Sequence, residues 1–394
     1  MRVVHLGLTD FRNYESASLD LHPGANLFVG SNGQGKTNLV EALGYLSTLG
    51  SHRVSSDHAM IRSGQDAAII RTEVVHSDRA ALVEVQLNRV GANRAQVNRS
   101  AIKPRELPRY FSSVLFAPED LALVRGEPSG RRRFMDELLV LRAPRMSGVL
   151  ADYDRVLRQR NTLLKSARAS GVRGGQLSTL DIWDDRLIAL GSEIIEARGA
   201  LIADLLPEVA AAYAAIAGAD HAASLASYLS ILSATDARSV DDDDSELVGA
   251  DLSRDRLTAD QAATAFRATL DRLRRSELDR GITLAGPHRD DLVLTLNDLP
   301  ARGYASHGES WSFALSLKLA SAAVLRRESN SGDPVLILDD VFAELDESRR
   351  GRLADAVGDF EQVLITAAVM NDVPDRLAQH VVQIRAGQIV EEQS

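Results

Sequence analysis

The chain has 394 residues, of which 45% are hydrophobic and 25% are charged, with 45 basic and 55 acidic residues and no cysteine. The length exceeds one ordinary domain of roughly 100–200 residues, and the composition is globular, which excludes a disordered or collagen-like chain. The lack of cysteine excludes disulfides, cysteine-ligated zinc, iron–sulfur clusters and a thiol nucleophile.

The sequence predicts a cytoplasmic protein without membrane contact. No apolar run approaches the roughly 18 residues that cross a bilayer. The first residues, MRVVHLGLTDFRNYE, lack the sustained apolar core and the cleavage site of a secretory signal.

The net charge of −10 is distributed unevenly. Residues 89–109 carry a net charge of +5 (six basic, one acidic) and residues 125–168 a net charge of +6 (eleven basic, five acidic). Residues 236–260 carry −6 (three basic, nine acidic). Because a partner responds to local patches, the acidic total does not exclude nucleic acid.

The first 117 residues predict mixed helix and strand. Asn26–Gly30 is a short apolar run ending in glycine, which predicts a buried strand, and Lys36–Leu49 has helical spacing. Ala67–His76 and Ala80–Arg89 alternate and predict an antiparallel pair of strands, and Ser113–Phe116 predicts another short strand.

A helical block follows from about residue 119 to residue 279. Leu138–Leu164 and Leu180–Ala217 have apolar residues at three- and four-residue spacing. Gly171–Gly175 interrupts the block, as does Asp241–Asp244, which we expect to be a solvated loop.

Strand signals return after Gly281, with helical spacing between them. The predicted strands are Gly281–Ala285, Asp291–Leu296, Pro334–Asp339, Val363–Thr366 and Val381–Arg385, and the predicted helices are Ser310–Arg327 and Glu347–Phe360. The fold class is therefore α/β, with one domain assembled from residues 1–117 and 280–394 and a mainly helical lobe, residues 118–279, inserted into it.

One segment matches the phosphate-loop pattern G-x-x-x-x-G-K-[ST] between a predicted strand and a predicted helix. Its residues are Gly30, Ser31, Asn32, Gly33, Gln34, Gly35, Lys36 and Thr37. The glycines let backbone N–H groups converge on phosphate oxygens, Lys36 reaches the β- and γ-phosphates, and the Thr37 hydroxyl ligates Mg²⁺. The segment predicts that the chain binds ATP.

A second site element is the apolar strand that ends in Asp339 and Asp340. Beside a phosphate loop, Asp339 is predicted to hold Mg²⁺ and Asp340 to polarise the attacking water. About 300 residues separate loop and strand, whereas simple P-loop kinases place them close together, so the pair favours a head of the ATP-binding-cassette type.

A third element precedes a predicted helix. Ser306 and Gly308 belong to an S-x-G-E sequence, which alone favours an ordinary helix N-cap over an anion site. Its place some thirty residues before the acidic strand is where cassette ATPases carry the signature that contacts the γ-phosphate on the opposite subunit. Glu344–Asp346 likewise fits the cassette D-loop.

The chain resembles the RecF family of bacterial replication and recombinational-repair ATPases. The matching stretches, in the family's order, are Phe11–Tyr14, Gly30–Glu41, Ser51–Arg53, Phe116–Leu121, Arg131–Phe134, Gly286–Leu292 and Leu338–Asp346. The resemblance implies a head like those of SMC proteins, with a compact helical lobe in place of a long coiled coil.

The resemblance also implies a function. It implies ATP-dependent homodimerisation, with ATP held between the Gly30–Thr37 loop of one subunit and Ser306 of the other. It implies binding to double-stranded or gapped DNA, where RecR and RecO help to place RecA on single strands during DNA repair and the SOS response.

Three features depart from general cassette ATPases. Asp340 stands where glutamate is usual, and the side chain shorter by one methylene predicts slow hydrolysis. The switch histidine after the last core strand is absent, with Thr366 or Ala367 near that point, and Glu119 is the nearest candidate for the Q-loop glutamine.

Several further residues have two interpretations each. Arg12 either contacts the nucleotide phosphates, as the resemblance suggests, or is a surface arginine. Arg53 either is a mobile arginine that DNA or the dimer brings to ATP, or has no role at the nucleotide. The three arginines Arg131, Arg132 and Arg133 contact DNA phosphates or form a solvated helix face. The sequence assigns no physical role to His288 and Arg289.

Three function classes remain. An ATPase switch on DNA, weakly active and stimulated by DNA, is favoured by the split head and the two basic regions. A metabolic P-loop kinase is disfavoured by the wide separation of loop and acidic strand, and a scaffold that uses the nucleotide only for stability is the third.

Overall fold

The computed structural model describes residues 1–77, 79–170, 178–218, 221–233, 256–329 and 332–393. The chain divides into two compact units: unit 1 is Met1–Leu121, Ala211–Asp220 and Trp311–Ser394, and unit 2 is Ala122–Ala210 and His221–Ser310. The predicted interruption at Gly171–Gly175 and the predicted acidic loop at Asp241–Asp244 lie outside the described residues.

The elements of the described residues are numbered in chain order. The strands are β1 (Arg2–Phe11), β2 (Tyr14–Asp20), β3 (Gly24–Val29), β4 (Ala67–His76), β5 (Arg79–Asn88), β6 (Arg94–Val97), β7 (Ser100–Ile102), β8 (Ser113–Phe116), β9 (Ala223–Tyr228), β10 (Asp291–Leu296), β11 (Leu299–Pro300), β12 (Val335–Asp339), β13 (Gln362–Ala367), β14 (His380–Arg385) and β15 (Gln388–Gln393). The α-helices are α1 (Lys36–Thr48), α2 (Leu121–Arg125), α3 (Pro128–Arg142), α4 (Met146–Ala169), α5 (Ser178–Ala217), α6 (Ala259–Arg280), α7 (Ala301–Tyr304), α8 (His307–Glu328) and α9 (Glu347–Val357).

Unit 1 contains two six-stranded sheets. The first is antiparallel, in the order β2-β1-β4-β5-β6-β7, and its strands alternate between buried and exposed residues because one face is solvated. The second has the order β15-β14-β3-β13-β12-β8 and pairs β14, β3, β13, β12 and β8 in parallel. Its central strands β12 and β13 are buried throughout, in keeping with their largely apolar sequences.

Unit 2 is mainly helical but contains a three-stranded sheet in the order β11-β10-β9. The sequence assigned residues 118–279 to the inserted lobe, whereas unit 2 consists of Ala122–Ala210 and His221–Ser310, with Ala211–Asp220 in unit 1. The difference at the C-terminal boundary follows from β10, whose six residues all pair with β9. Residues 281–310 therefore belong with the lobe rather than with the second half of the head.

The structure agrees with most predicted elements and differs at three. Strands at Ala67–His76 and Ser113–Phe116 are confirmed. The predicted strand Gly281–Ala285 is wrong, because that segment is a loop, and β9 lies inside the predicted helical block. Leu138–Leu164 is split between α3 and α4 because Pro144 disfavours helical geometry at Ala143.

The segment Gly286–Asp291 lies in the interior of unit 2. Gly286 has a φ of 124°, and a Cβ there would lie 2.6 Å from Phe266 Cζ and 2.7 Å from Tyr153 Oη, so only glycine fits. His288 Nδ1 lies 2.7 Å from the Tyr153 hydroxyl oxygen, and the Asp290 carboxylate accepts hydrogen bonds from both the backbone N–H and the hydroxyl of Ser230. The segment is thus a structural connection, which is a physical role that the sequence did not assign.

A buried arginine joins α4 to α6 in the same unit. Arg160, with a side chain 1% exposed, binds Asp184 at 2.6 Å and Glu277 at 2.6 Å and donates to the Thr283 hydroxyl at 2.8 Å. Removing one partner of such a group leaves a buried charge unpaired, at a cost of about 3–5 kcal/mol. Arg160 therefore specifies how these helices pack.

Among the described residues, one helix is long and apolar enough to cross a membrane by length and composition alone. It is the part of α5 spanning Thr179–Ala217. Core helices of soluble proteins pass the same test, so one such helix is weak evidence. This helix also carries Arg198, whose Nη1 donates to the Pro287 carbonyl and whose Nε and Nη2 bind the Asp136 carboxylate. The absence of membrane contact stays a prediction.

The buried imidazole of His288 predicts a pH dependence of stability. Burial, with the nearby Arg289 as a further cause, lowers the pKa of His288 from 6.5 to about 3. The native ring therefore stays neutral while the unfolded ring takes up a proton below pH 6.5, so stability falls as the pH drops. At pH 5 this loss is about 2 kcal/mol relative to pH 7.

The measurement is urea unfolding at pH 7 and pH 5 with Trp183 as the reporter of unit 2, in a Trp311→Phe background. Burial raises the pKa of Asp290 to about 6, which acts in the opposite direction, so His288→Asn must be compared with its parent. We expect the parent to lose about 2 kcal/mol more than His288→Asn between the two pH values. Equal losses would contradict a buried neutral imidazole.

Candidate functional site

Three strands of the parallel sheet end side by side in unit 1. β13 lies between β3 and β12 and pairs with both. The phosphate loop follows β3, and the two aspartates close β12. Because loops leave a parallel sheet at the carboxyl ends of its strands, this edge is where α/β folds bind ligands.

The tip of the phosphate loop is exposed, and its last residues lead directly into helix α1. Ser31, Asn32 and Gly33 are exposed, and α1 begins after Gly35, which has a φ of 114° and gives the helix no side-chain cap. The first N–H groups of α1 are thus uncapped by a side chain, which suits an anion. Lys36 is buried, and its Nζ donates to the Gly30 carbonyl at 2.7 Å, so the ammonium group is held inside the loop.

The turn between β14 and β15 fixes the outer side of the loop. Gly387 N–H donates to the Gln34 carbonyl at 2.9 Å, and Ala386 N–H donates to Gln34 Oε1 at 2.5 Å. A Cβ at Gly30 would lie 2.3 Å from the Ile384 carbonyl oxygen, so the chain can pass there only as glycine.

The loop meets the acidic strand through one carboxylate oxygen. Thr37 Oγ1 donates to Asp339 Oδ1 at 3.0 Å across a separation of 302 residues, and Thr366 Oγ1 donates to the same oxygen at 2.6 Å. Thr366 is the residue that the sequence placed near the missing switch histidine. In the structure it connects β13 to Asp339.

Asp340 is held in a rarely occupied backbone conformation. Its φ is 51°, its N–H donates to Thr366 Oγ1 at 2.9 Å, and its Oδ1 lies 4.0 Å from Lys36 Nζ. Burial raises the pKa of Asp340, Lys36 opposes this shift, and Asp339 adds to it. The Oδ1 atom is buried and has no hydrogen-bond partner among the described residues, which leaves an acceptor available to a bound molecule.

The donor set suits Mg²⁺ bound together with phosphates. Thr37 and Asp339 offer adjacent hard oxygen atoms, which Mg²⁺ prefers. Among the described residues, no group of three or more His, Cys, Asp or Glu side chains could hold a metal by itself.

The hairpin between β1 and β2 supports the phosphate loop, a role that sequence reasoning missed. The Tyr14 hydroxyl donates to the Gly35 carbonyl at 3.2 Å, and Asn13 Nδ2 donates to the Gln34 carbonyl at 3.4 Å. Asn38 on α1 donates to Asn13 Oδ1 at 2.7 Å. The only sequence signal was that Phe11–Tyr14 is a family stretch.

Arg12 binds a carboxylate in this structure rather than facing an open surface. Its Nε and Nη2 lie 2.8 Å and 2.5 Å from the Glu41 carboxylate, whose side chain is fully buried on α1. Ser51 Oγ donates to Glu41 Oε1 at 2.5 Å, and Arg53 Nη1 donates to Asn38 Oδ1 at 2.9 Å. The surface-arginine alternative for Arg12 is therefore wrong, and its contact with phosphates stays a prediction.

His52 joins the site although the sequence assigned it no role. Its Nε2 lies 3.6 Å from Asp339 Oδ2, and its side chain is 14% exposed. The signal available in the sequence was its position in the family stretch Ser51–Arg53.

The signature residues begin α8 in unit 2. Ser306 Oγ accepts a hydrogen bond from Glu309 N–H at 3.3 Å, and Glu309 Oε2 accepts one from Ser306 N–H at 2.7 Å, which is a capping box. Ser306 is exposed and Gly308 half-buried. The N-cap interpretation thus describes the local geometry, and the signature role stays a prediction compatible with an exposed serine.

The arginines predicted to contact DNA separate into different environments. Arg131 is 4% exposed and binds the Asp291 carboxylate at 2.8 Å and 2.7 Å, so the predicted DNA contact is wrong for this residue. Arg132 is half-buried and donates to the Asp290 carbonyl at 2.9 Å. Arg133 has a side chain 53% exposed, paired with Glu137 one helical turn away.

Glu119, the nearest candidate for the Q-loop glutamine, is exposed in a short 3₁₀ turn that follows β8. Its neighbour Asp120 accepts a hydrogen bond from Ala117 N–H at 2.8 Å and pairs with Lys318 at 2.9 Å.

Comparison with known proteins gives a consistent result. The family model described as RecF/RecN/SMC N terminal domain matches residues 2–388. The chain is 66% identical over 391 residues to the DNA replication and repair protein RecF of Clavibacter sepedonicus, covering 99% of this chain and 95% of the relative.

Two solved structures agree with the fold. The recombination mediator protein RecF with ATP in the RecFOR pathway has a TM-score of 0.85 at 26% identity, covering 100% of this chain and 97% of the other. The Smc head domain of Pyrococcus furiosus with an extended coiled coil has a TM-score of 0.54 at 15% identity, covering 100% and 96%, and shows the fold alone. The predicted α/β cassette-type head is confirmed.

The crowding at Gly35 generates a mutational prediction. A Cβ there would lie 2.8 Å from Tyr14 Oη and 2.9 Å from Asn13 Nδ2 at a φ of 114°, whereas Gly33, with a φ of 80°, has nothing within 4 Å. We expect Gly35→Ala to destabilise unit 1 by about 3 kcal/mol and Gly33→Ala by about 1 kcal/mol. Denaturant unfolding measures both, and equal effects would contradict support of the loop by the β1–β2 hairpin.

Proposed function

The chain belongs to the RecF family of DNA replication and repair proteins, and from this membership we propose that it is an ATP-dependent DNA-binding protein of recombinational repair. It would dimerise on ATP, bind double-stranded or gapped DNA, and hydrolyse ATP slowly for release. The observation that carries the proposal is the hydrogen bond between Thr37 and Asp339, because it joins the two halves of a nucleotide site.

The phosphate loop would bind ATP through the residues that line its open side. Backbone N–H groups of Ser31 to Thr37 would surround the β-phosphate, and Lys36 would exchange its loop carbonyls for β- and γ-phosphate oxygens. Thr37 and Asp339 would hold Mg²⁺, which supplies charge neutralisation of the phosphates when bound.

Asp340 would orient the water that attacks the γ-phosphorus. The water oxygen forms a bond to the γ-phosphorus, and the bond between the γ-phosphorus and the bridging oxygen breaks. The products are ADP and inorganic phosphate. The unpartnered Asp340 Oδ1 provides the acceptor, and the strained φ of 51° directs the side chain. Because an aspartate is shorter than the usual glutamate, we expect weak ATPase activity. Stimulation of this activity by DNA is a separate expectation, which family membership supports.

The signature residues would act on the ATP of a second copy. Ser306 is exposed at the start of α8, and the capping box leaves its hydroxyl at a helix N-terminus, which attracts negative charge. In a closed homodimer, Ser306 and Gly308 of one subunit would contact the γ-phosphate on the other, so that ATP selects the closed state. Arg53, with a side chain 39% exposed near the loop, is a further candidate to reach ATP on closure.

Family membership supports a proposal of DNA and protein partners. The basic stretch 89–109 and the exposed arginines of residues 125–168 supply candidate surfaces for the phosphate backbone. With RecR and RecO, the chain would help to load RecA at single-strand gaps during DNA repair and the SOS response. The site of action would be the cytoplasm, without a membrane.

The first test separates ATP binding from ATP hydrolysis. We expect Asp340→Asn to keep ATP binding, lower hydrolysis by roughly 100-fold or more, and remain dimeric on ATP, because it loses only the base. We expect Lys36→Met to stay monomeric. Sedimentation gives the dimer, and fluorescence anisotropy on duplex, single-stranded and gapped DNA at two salt concentrations gives binding.

A matched variant isolates the signature. Ser306→Arg leaves the phosphate loop intact, so it should bind ATP but fail to dimerise. Dimerisation of Lys36→Met on ATP as in wild type would refute the switch. ADP release that depends on a small substrate without DNA would support a kinase instead. Hydrolysis indifferent to DNA, with unchanged binding of partners, would support a scaffold.

The exposed arginine of α3 allows a DNA-contact test with a matched control. Arg133 and Arg267 have equally exposed side chains (53% each), and each pairs with a carboxylate. If Arg133 contacts a DNA phosphate, Arg133→Gln should weaken binding of all sequences and reduce the slope of log affinity against log salt by about 1, whereas Arg267→Gln should not. Wild-type affinity and salt slope in Arg133→Gln would exclude Arg133 from the DNA surface, and an equal loss in both variants would indicate a general effect of charge.

A further inference from the structure

We infer that His52 is a positioning residue of the metal site, and that its Nε2–H hydrogen-bonds the second carboxylate oxygen of Asp339 in the ATP-bound protein. The inference rests on the proposed function. The first observation is that His52 Nε2 is buried and has no hydrogen-bond partner among the described residues. Buried polar atoms without partners are rare in folded proteins, and each one asks for an explanation.

The Asp339 carboxylate is half satisfied. Oδ1 accepts hydrogen bonds from Thr37 at 3.0 Å and Thr366 at 2.6 Å. Oδ2 has a different neighbour, His52 Nε2 at 3.6 Å, which is longer than a hydrogen bond. An approach of roughly half an ångström would make the bond. The plane of the carboxylate would then be fixed from both sides.

His52 is held near Asp339 by a buried network. The Ser51 hydroxyl donates to Glu41 at 2.5 Å and accepts from Arg53 N–H at 2.9 Å, so it fixes the backbone on both sides of His52. Glu41 in turn is fixed by Arg12, from the β1–β2 hairpin. In the stretch Ser51–Arg53, Ser51 thus fixes the backbone through Glu41, His52 faces Asp339, and Arg53 is exposed.

His52 brings an imidazole to the site from a different part of the chain than the switch histidine of general cassette ATPases. The histidine expected after the last core strand is absent, and Thr366 lies there. The imidazole reaches Asp339 from the loop after α1 instead. Outer-shell partners of metal-binding carboxylates orient the ligand, and their loss costs roughly 10- to 100-fold in metal affinity.

Two variants separate a hydrogen-bond donor from a space-filling ring. His52→Phe keeps a planar ring and removes the donor, whereas His52→Gln places an N–H near the position of Nε2. His58→Gln is the control, because His58 is exposed six residues along the same segment. The full-length chain is titrated with MgCl₂ in the presence of a fluorescent, non-hydrolysable ATP analogue.

We expect His52→Phe to need roughly tenfold more Mg²⁺ for half-maximal binding, and His52→Gln to recover much of this loss. Analogue affinity in EDTA should be the same for all variants, since no metal ligand needs positioning there. Thermal unfolding without Mg²⁺ checks that each variant folds. Wild-type Mg²⁺ dependence in His52→Phe would overturn the inference, and so would an equal loss with and without Mg²⁺, which indicates a structural role.

A spectroscopic measurement tests direct ligation. With Mn²⁺ in place of Mg²⁺, pulsed electron paramagnetic resonance detects the nitrogen of a directly bound imidazole. We expect no such coupling, and its presence would make His52 a metal ligand rather than a positioning residue. If the wild-type chain binds no analogue at any Mg²⁺ concentration, the proposed function fails as well. If wild type binds normally and His52→Phe matches it, only the role of His52 fails.

Discussion

Asp339 Oδ1 accepts hydrogen bonds from both Thr37 and Thr366, and the proposed nucleotide site depends on this one atom. The two donors come from the helix after β3 and from the end of β13, so the oxygen connects β12 both to β13 and to helix α1. Strand register makes the contact possible, because Asp339 pairs with Thr366, which pairs with Phe28 on β3. A slip of one residue would turn these side chains to the opposite face of the sheet.

Buried charges perform much of the remaining positioning. Glu41 is fully buried and binds Arg12, while Arg131 and Arg160 are buried on carboxylates in unit 2. Pairs of this kind add little net stability, because desolvation offsets their attraction, but breaking one leaves an expensive unpaired charge. They fix geometry. They also explain why counting charges along the sequence overstates the basic surface of residues 125–168.

The sequence predicted the parts of the site that lie within one short stretch. The phosphate loop, its helix and the acidic strand follow from local patterns of glycine, lysine and apolar residues, and the structure places them together. The sequence did not predict the roles of Tyr14, Glu41 or His52, because each of them contacts a residue that is distant in the sequence and that it meets only in the folded chain. It also misjudged Gly281–Ala285 and β9, since a short apolar run does not reveal whether a pairing partner exists.

The sequence by itself determined the chemistry available to this protein: a glycine-rich loop with Lys36 and Thr37, a strand ending in Asp339 and Asp340, and a serine at the start of a helix. These are local properties, because the spacing that phosphate binding requires spans only eight residues. Tertiary structure decided which oxygen Thr37 meets, which arginines are buried, and which histidine faces Asp339. Those outcomes depend on strand order and on packing between segments up to 302 residues apart, which no local pattern encodes.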